Sequence, residues 1–264
     1  MSRFYNFANA TEESVDLFIN GEITDDETQT LMRSWFGEDV GTCPGSFIDE
    51  LKENFGKNVN VYIDSYGGDV FAASSIYTAL KEHVGSVTVK ITGVAASAAS
   101  VIAMAGSKVL MSKTAVMMIH NPSTGTYGDH NDMEKAIEIL NTIKESIINA
   151  YEAKTGMDRE KISELMENET WMDYETAREY GFCDGTIEDD NLKNVVKNCI
   201  ENRIFVYNSL RNMSEKRNVE TLVAPVQDVK DDNADKVDRD DMDDKYEEKR
   251  QEQLDRYMKL MEKM

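Results

Sequence analysis

The chain has 264 residues, 41% of them hydrophobic, and a formal net charge of −21. That length supports one large domain with extensions, and the charge argues against nucleic-acid phosphates or an anionic membrane surface as partners. No apolar run approaches about 20 residues, so no membrane span is predicted.

The N-terminal stretch MSRFYNFANATEESVD carries acids and no apolar core, so no secretion signal is expected. Cys43, Cys183 and Cys199 are odd in number and lack metal spacing. They fit a reducing cytoplasm with no disulfide framework. The histidines His83, His120 and His130 form no cluster with cysteine, so neither a metal nor a cofactor is expected.

Leu17-Phe18-Ile19 reads as a first strand, turned by Asn20-Gly21. Thr24 to Trp35 reads as a helix, and Gly37 to Gly45 as a loop. Ser46 is the expected N-cap of a helix running to about Asn54. Val59, Val61 and Ile63 alternate as in a strand, and Asp64 to Gly68 reads as a turn. Asp69 starts a helix whose apolar face is Phe71, Ile76, Tyr77 and Leu80. The β-branched run Val87 to Thr92 is a strand leading into small residues, Gly93 to Ser100. These predict a sharp bend and a buried helix start at Ser97. Short strands follow at 108–111 and 115–120. Strands alternating with helices imply an α/β fold with a mainly parallel sheet.

Asn121 to Gly125 is a loop, and from about Asp129 to Lys154 the pattern is helical. Met133, Ile137, Leu140, Ile143, Ile147 and Tyr151 form its apolar stripe. Such a helix spans nearly 40 Å at about 1.5 Å per residue and is expected to pack on a partner chain or project from the body. Short helices at 158–167 and 173–180 follow, the second ended by Gly181. Apolar spacing at 188–212 fits no single period.

A hydrolytic serine needs a base, a group that orients the base, and N–H donors for an oxyanion. Ser97 at the helix start suits a nucleophile, and it suits plain close packing too. His120 ends an apolar strand, where it can reach a neighbouring helix start or sit as a satisfied core histidine. His83 and His130 lie on polar segments. Gly67-Gly68 lets backbone N–H groups approach a ligand. Glu169, between two short helices, is a candidate carboxylate or a surface charge.

At these residues the chain resembles the Clp protease proteolytic subunit (ClpP) family. The segments that carry the likeness are GVAASAAS around Ser97, AVMMIHNP around His120, YIDSYGGDVFAASSIY around Gly67-Gly68, and ETWMDYETAREYGFCDGTI. The likeness runs in order from Leu17 to Ile187 and is most similar to phage head maturation (prohead) proteases. It implies a ClpP/crotonase-like ββα spiral with a long handle helix at 129–154, through which rings of subunits interlock. It implies Ser97 as nucleophile, His120 as general base and Glu169 as the acid, with Asp173 as the alternative. Backbone N–H groups of Gly68 and Ala98, with Asp69 beside them, would form the oxyanion hole. The chain departs from the family's usual pattern at Ala98-Ala99, where Met-Gly is usual, at Glu169, where Asp is usual, and in a shortened N-terminal segment.

The implied organisation is a ClpP-like serine protease domain at 1–212, an acidic disordered linker at 213–244 and an amphipathic helix at 245–264. The expected activity is serine endopeptidase action on scaffold or capsid proteins in phage head maturation. A housekeeping ATP-dependent Clp subunit and a structural assembly protein with secondary protease activity are the alternatives. Expected partners are protein or peptide substrates, a homo-oligomeric ring, capsid or scaffold proteins and an ATP-driven unfoldase.

Overall fold

The computed structural model describes residues 5–36 and 41–187. The expected acidic linker and terminal helix, and the stretch at 188–212, lie outside the described residues. The elements run β1 (Tyr5–Ala8), β2 (Ser14–Ile23), α1 (Asp26–Phe36), β3 (Gly41–Thr42), α2 (Pro44–Glu53), β4 (Asn58–Gly68) and α3 (Val70–Glu82). Then come β5 (Val87–Ala96), α4 (Ala98–Ala103), β6 (Lys108–Met111), β7 (Val116–Ile119) and α5 (His130–Thr155). The described chain ends with α6 (Arg159–Glu167), β8 (Thr170–Met172), α7 (Tyr174–Glu179) and β9 (Gly185–Thr186).

The α/β class and the mainly parallel sheet are confirmed. The strand order is β1-β2-β4-β5-β6-β9, with β3 on β2 and β7 between β5 and β8. Only the β1–β2 and β7–β8 pairs are antiparallel among the described residues. Val15, Leu17, Ile19, Val61, Ile63, Val89 and Ile91 are buried at the centre of the core. Their β-branched and leucine side chains fill one face of the sheet, as a strand period of two requires.

Strand β5 serves two neighbours. Thr88 to Ile91 pair with β6, and Val94 to Ala96 pair with β7. The handover falls at Thr92-Gly93. There the buried Asp64 carboxylate accepts the Val94 N–H at 3.1 Å. A Cβ on Gly93 would stand 2.3 Å from Asp64 Oδ1, so only glycine leaves room for that carboxylate. The β4–β5 register shifts at the same level, between Ile63 and Ser65.

Local expectations differ from the structure where tertiary contacts compete. Asn20-Gly21 is a register shift inside a continuous β2 rather than a turn. The segment 64–68 extends β4 rather than turning, because β2 pairs with it as far as Gly68. Helix α2 begins at Pro44, whose missing N–H suits a first turn, and Cys43 rather than Ser46 is its N-cap. The Gly45 N–H donates to the Asp26 carboxylate of α1, so a distant side chain does the capping. Phe71 is 64% exposed; α3 turns Ala72, Ala73, Ile76 and Leu80 inward instead.

The long helix forms as expected, started by a capping box at Asp129 and Asp132 and ended by left-handed Gly156. Its stripe divides in two. Ile147 and Tyr151 are buried in the core, whereas Met133 and Ile137 are exposed. Arg159 pairs with Glu145 and Glu152, and Lys144 with Glu167, tying α6 to the second half of α5.

Candidate active site

The site begins where β5 ends. Ala95, Ala96, Ala98 and Ala99 are all buried, and their small side chains let three strands and a helix meet around Ser97. Ser97 has φ 54° and ψ −124°, a left-handed conformation that a residue with a Cβ adopts at a cost of about 1–3 kcal/mol. Its N–H donates to the Met118 carbonyl at 2.9 Å, and its carbonyl accepts from the Ser100 N–H at 2.9 Å. The turn is therefore gripped from both sides. It brings the Ser97 hydroxyl to the residue that follows β7.

His120 follows β7, whose Met117, Met118 and Ile119 are buried. Asn121-Pro122 ends the strand. The ring arrives with Nε2 at 2.7 Å from Ser97 Oγ. This pair is the central geometric fact of the site. The other described histidines stand apart: His83 contacts the Lys57 carbonyl at 2.7 Å, and His130 is the exposed first residue of α5. Thiols offer no rival nucleophile among the described residues. Burial pushes the Cys43 thiol up and that of Cys183 up to about 11, so both stay protonated near neutral pH.

The end of β4 lies against the same turn. A Cβ on Gly67, at φ 101°, would stand 2.7 Å from the Ala96 carbonyl and 2.9 Å from the Ala98 nitrogen. The missing side chain thus keeps the Ala98 N–H uncovered. Gly68 and Ala98 line a cleft of about 290 Å³ together with Ser97 and His120. The Asp69 N–H is engaged by the Ile23 carbonyl at 2.8 Å, so it is not available as a further donor. Ile139, Leu140, Ile143 and Ile147 of α5 give the cleft an apolar wall, and Pro122 to Thr124 form a rim.

The carboxylates are less closely joined. The antiparallel β7–β8 ladder ends with Ile119 opposite Thr170, the residues next to His120 and Glu169 in the chain. Glu169 has φ 46°, and its carboxylate accepts from the Trp171 indole at 3.3 Å. Asp173 is the N-cap of α7 and accepts from the Thr176 N–H at 2.9 Å, which holds its carboxyl below the usual range. Among the described residues, neither carboxylate is hydrogen-bonded to His120. Reasoning from the sequence missed the cleft-lining roles of Phe71, Val101 and Ile139. Only the helical spacing of Ile139 beside Ile143 signalled one of them.

Known proteins match the sequence of this region. The Clp protease family model matches residues 47–190. A Bacteroides fragilis ATP-dependent Clp protease proteolytic subunit is 32% identical over 131 residues, 49% of this chain and 63% of that protein. A Chlamydia abortus ATP-dependent Clp protease proteolytic subunit 1 is 34% identical over 139 residues, 51% of this chain and 72% of that protein. A Porphyromonas gingivalis subunit is 31% identical over 135 residues, 50% of this chain and 61% of that protein. The chain belongs to the Clp protease family. It spans about three fifths of the length of the Bacteroides and Porphyromonas relatives it matches.

The strained turn makes a measurable prediction. Ser97→Gly removes the Cβ that the left-handed region penalises, against a glycine entropy cost of about 0.5–1 kcal/mol. We expect its urea midpoint to rise, by about 1 kcal/mol of stability, whereas Ser97→Ala, which keeps the Cβ, shows no such gain. Equal midpoints for the two variants would remove the strain from the account.

Proposed function

We propose that this chain is a serine endopeptidase that cleaves peptide bonds through an acyl-enzyme. The observation that carries the reading is the 2.7 Å contact between Ser97 Oγ and His120 Nε2 at a strained turn that opens on a cleft. In this reading His120 Nε2 takes the Ser97 proton as Oγ attacks the scissile carbonyl carbon. The oxyanion that forms accepts the backbone N–H groups of Gly68 and Ala98. His120 then gives the proton to the departing amine, leaving an ester on Ser97. A water molecule, deprotonated by the same imidazole, hydrolyses that ester. The apolar α5 wall supports binding of an apolar side chain of the substrate, with the peptide backbone held at the strand ends.

Glu169 is proposed as the acid that orients His120 and stabilises its imidazolium. Its place next to Thr170, which pairs with the Ile119 that precedes His120, supports the assignment. The proposal requires the Glu169 carboxylate to leave its exposed contact with Trp171 for Nδ1. Asp173 is the alternative.

The proposed substrates are scaffold or capsid proteins of a phage head. Support comes from the acid-rich stretch 228–244 and the charged end at 245–264, both beyond the residues matched by the family model. The names of the relatives favour a second reading, a proteolytic subunit served by an ATP-driven unfoldase. Assembly into a ring is proposed on either reading, supported by the exposed apolar residues of the first half of α5.

A fluorophosphonate probe should label Ser97 in the wild-type chain, and Ser97→Ala should abolish labelling and lower peptide cleavage about 10⁴–10⁶-fold. Cleavage of purified scaffold or capsid protein without ATP supports the head-maturation reading; cleavage only with a Clp unfoldase and ATP supports the second. Labelling elsewhere, with activity kept in Ser97→Ala, would overturn the nucleophile.

For the acid, Glu169→Gln should lower kcat by about two to four orders of magnitude with little change in KM. If Asp173→Asn has that effect and Glu169→Gln does not, the role passes to Asp173.

For assembly, Ile137 is 58% exposed, so Ile137→Glu should leave the fold of one chain intact. At a covered ring interface an unpaired charge costs several kcal/mol, and sedimentation should show smaller species than the wild type. A wild-type monomer would refute the ring.

A further inference from the structure

Tyr151 is 1% exposed, and its hydroxyl lies 2.8 Å from Ser100 Oγ. Ser100 is itself fully buried, and its Oγ donates to the Ser97 carbonyl at 2.6 Å. The proton directions follow from the chemistry. A carbonyl can only accept, so the one Ser100 hydroxyl proton points to Ser97. Ser100 Oγ must then accept from Tyr151, which gives a chain running from Tyr151 O–H to Ser100 O–H to the Ser97 carbonyl. Burial pushes the Tyr151 phenol far up, so it remains a neutral donor. Its ring packs edge-on against Phe182 at 5.5 Å, which fixes where the hydroxyl can be.

We propose that Tyr151 and Ser100 are positioning residues for Ser97. Neither touches the reacting atoms in this proposal. They hold the Ser97 carbonyl, and with it the left-handed φ that points Oγ at His120. A non-glycine residue stays in that region only when its surroundings over-determine it. The peptide N–H is held by the Met118 carbonyl from one side. On the other side, the Ser100 hydroxyl adds a third and shortest bond to those from the Ser100 and Val101 N–H groups. The chain thus connects the buried end of α5 to the nucleophile's backbone across 51 residues of sequence between Tyr151 and Ser100. The inference rests on the peptidase reading above.

The test measures the rate of fluorophosphonate labelling at Ser97 and steady-state peptide cleavage in the full-length chain. Tyr151→Phe keeps the ring and removes the donor; Ser100→Ala removes the bond to the carbonyl. Each should slow labelling and lower kcat about 5–30-fold, as loss of one buried hydrogen bond permits, with KM within about twofold of wild type. Because both act through one chain, Tyr151→Phe/Ser100→Ala should be no slower than Ser100→Ala alone; a merely structural role would leave the labelling rate and kcat of the folded variants unchanged. Circular dichroism confirms that each variant is folded. Variants that label and turn over at the wild-type rate, losses confined to KM, or additive losses in the double variant would overturn the positioning role while leaving the peptidase reading in place. A wild-type chain that the probe does not label at Ser97 would overturn both.

Discussion

The backbone turn at Ser97 is the constraint on which the rest of the site depends. A serine with φ 54° is unfavourable by itself and persists only where its surroundings hold it there. Four separate segments do so. The end of β7 takes its N–H, Ser100 holds its carbonyl, β4 lays a side-chain-free glycine against it, and α5 closes the space behind Ser100. The strain is thus distributed over the core, and the hydroxyl is left pointing where an imidazole can reach it.

The same packing places β7. Its partner β5 pairs with β6 over its first half and with β7 over its second. The buried Asp64 carboxylate, fitted against Gly93, marks the level at which β5 leaves one neighbour for the other. That handover brings β7 to Ala96, and so brings His120 to Ser97. A buried carboxylate bonded to a backbone N–H is costly to leave unpaired, which makes the handover specific rather than merely permitted.

Helix α5 divides its work along its length. Its second half is part of the core and is tied to α6 by Arg159. Its middle supplies the apolar wall of the cleft, while Met133 and Ile137 near its start stay exposed. The strong negative charge of the chain contrasts with that wall. On the proposed reading, recognition there depends on apolar contact and backbone geometry more than on long-range charge.

Much of this was readable along the chain. Period-two runs marked β2, β4 and β5, helical spacing marked α3 and α5, and the crowd of alanines marked a close approach at Ser97. Ser97 and His120 stood out because each sits where a strand ends. What the sequence could not reveal lies in contacts between distant segments. The turn expected at 64–68 became strand because β2 pairs with it, and the N-cap expected at Ser46 moved because Asp26 supplies a cap from another helix. Sequence periodicity determined the α/β class and the long helix, while strand ends, the run of small residues and the family resemblance marked Ser97 and His120 as candidates. Only tertiary structure decided the 2.7 Å approach of His120 to Ser97, the closure of Ser100 by Tyr151 and the exposure of Phe71. The physical reason is that local pattern fixes which face of an element is apolar, whereas register and packing across the core fix what that face meets.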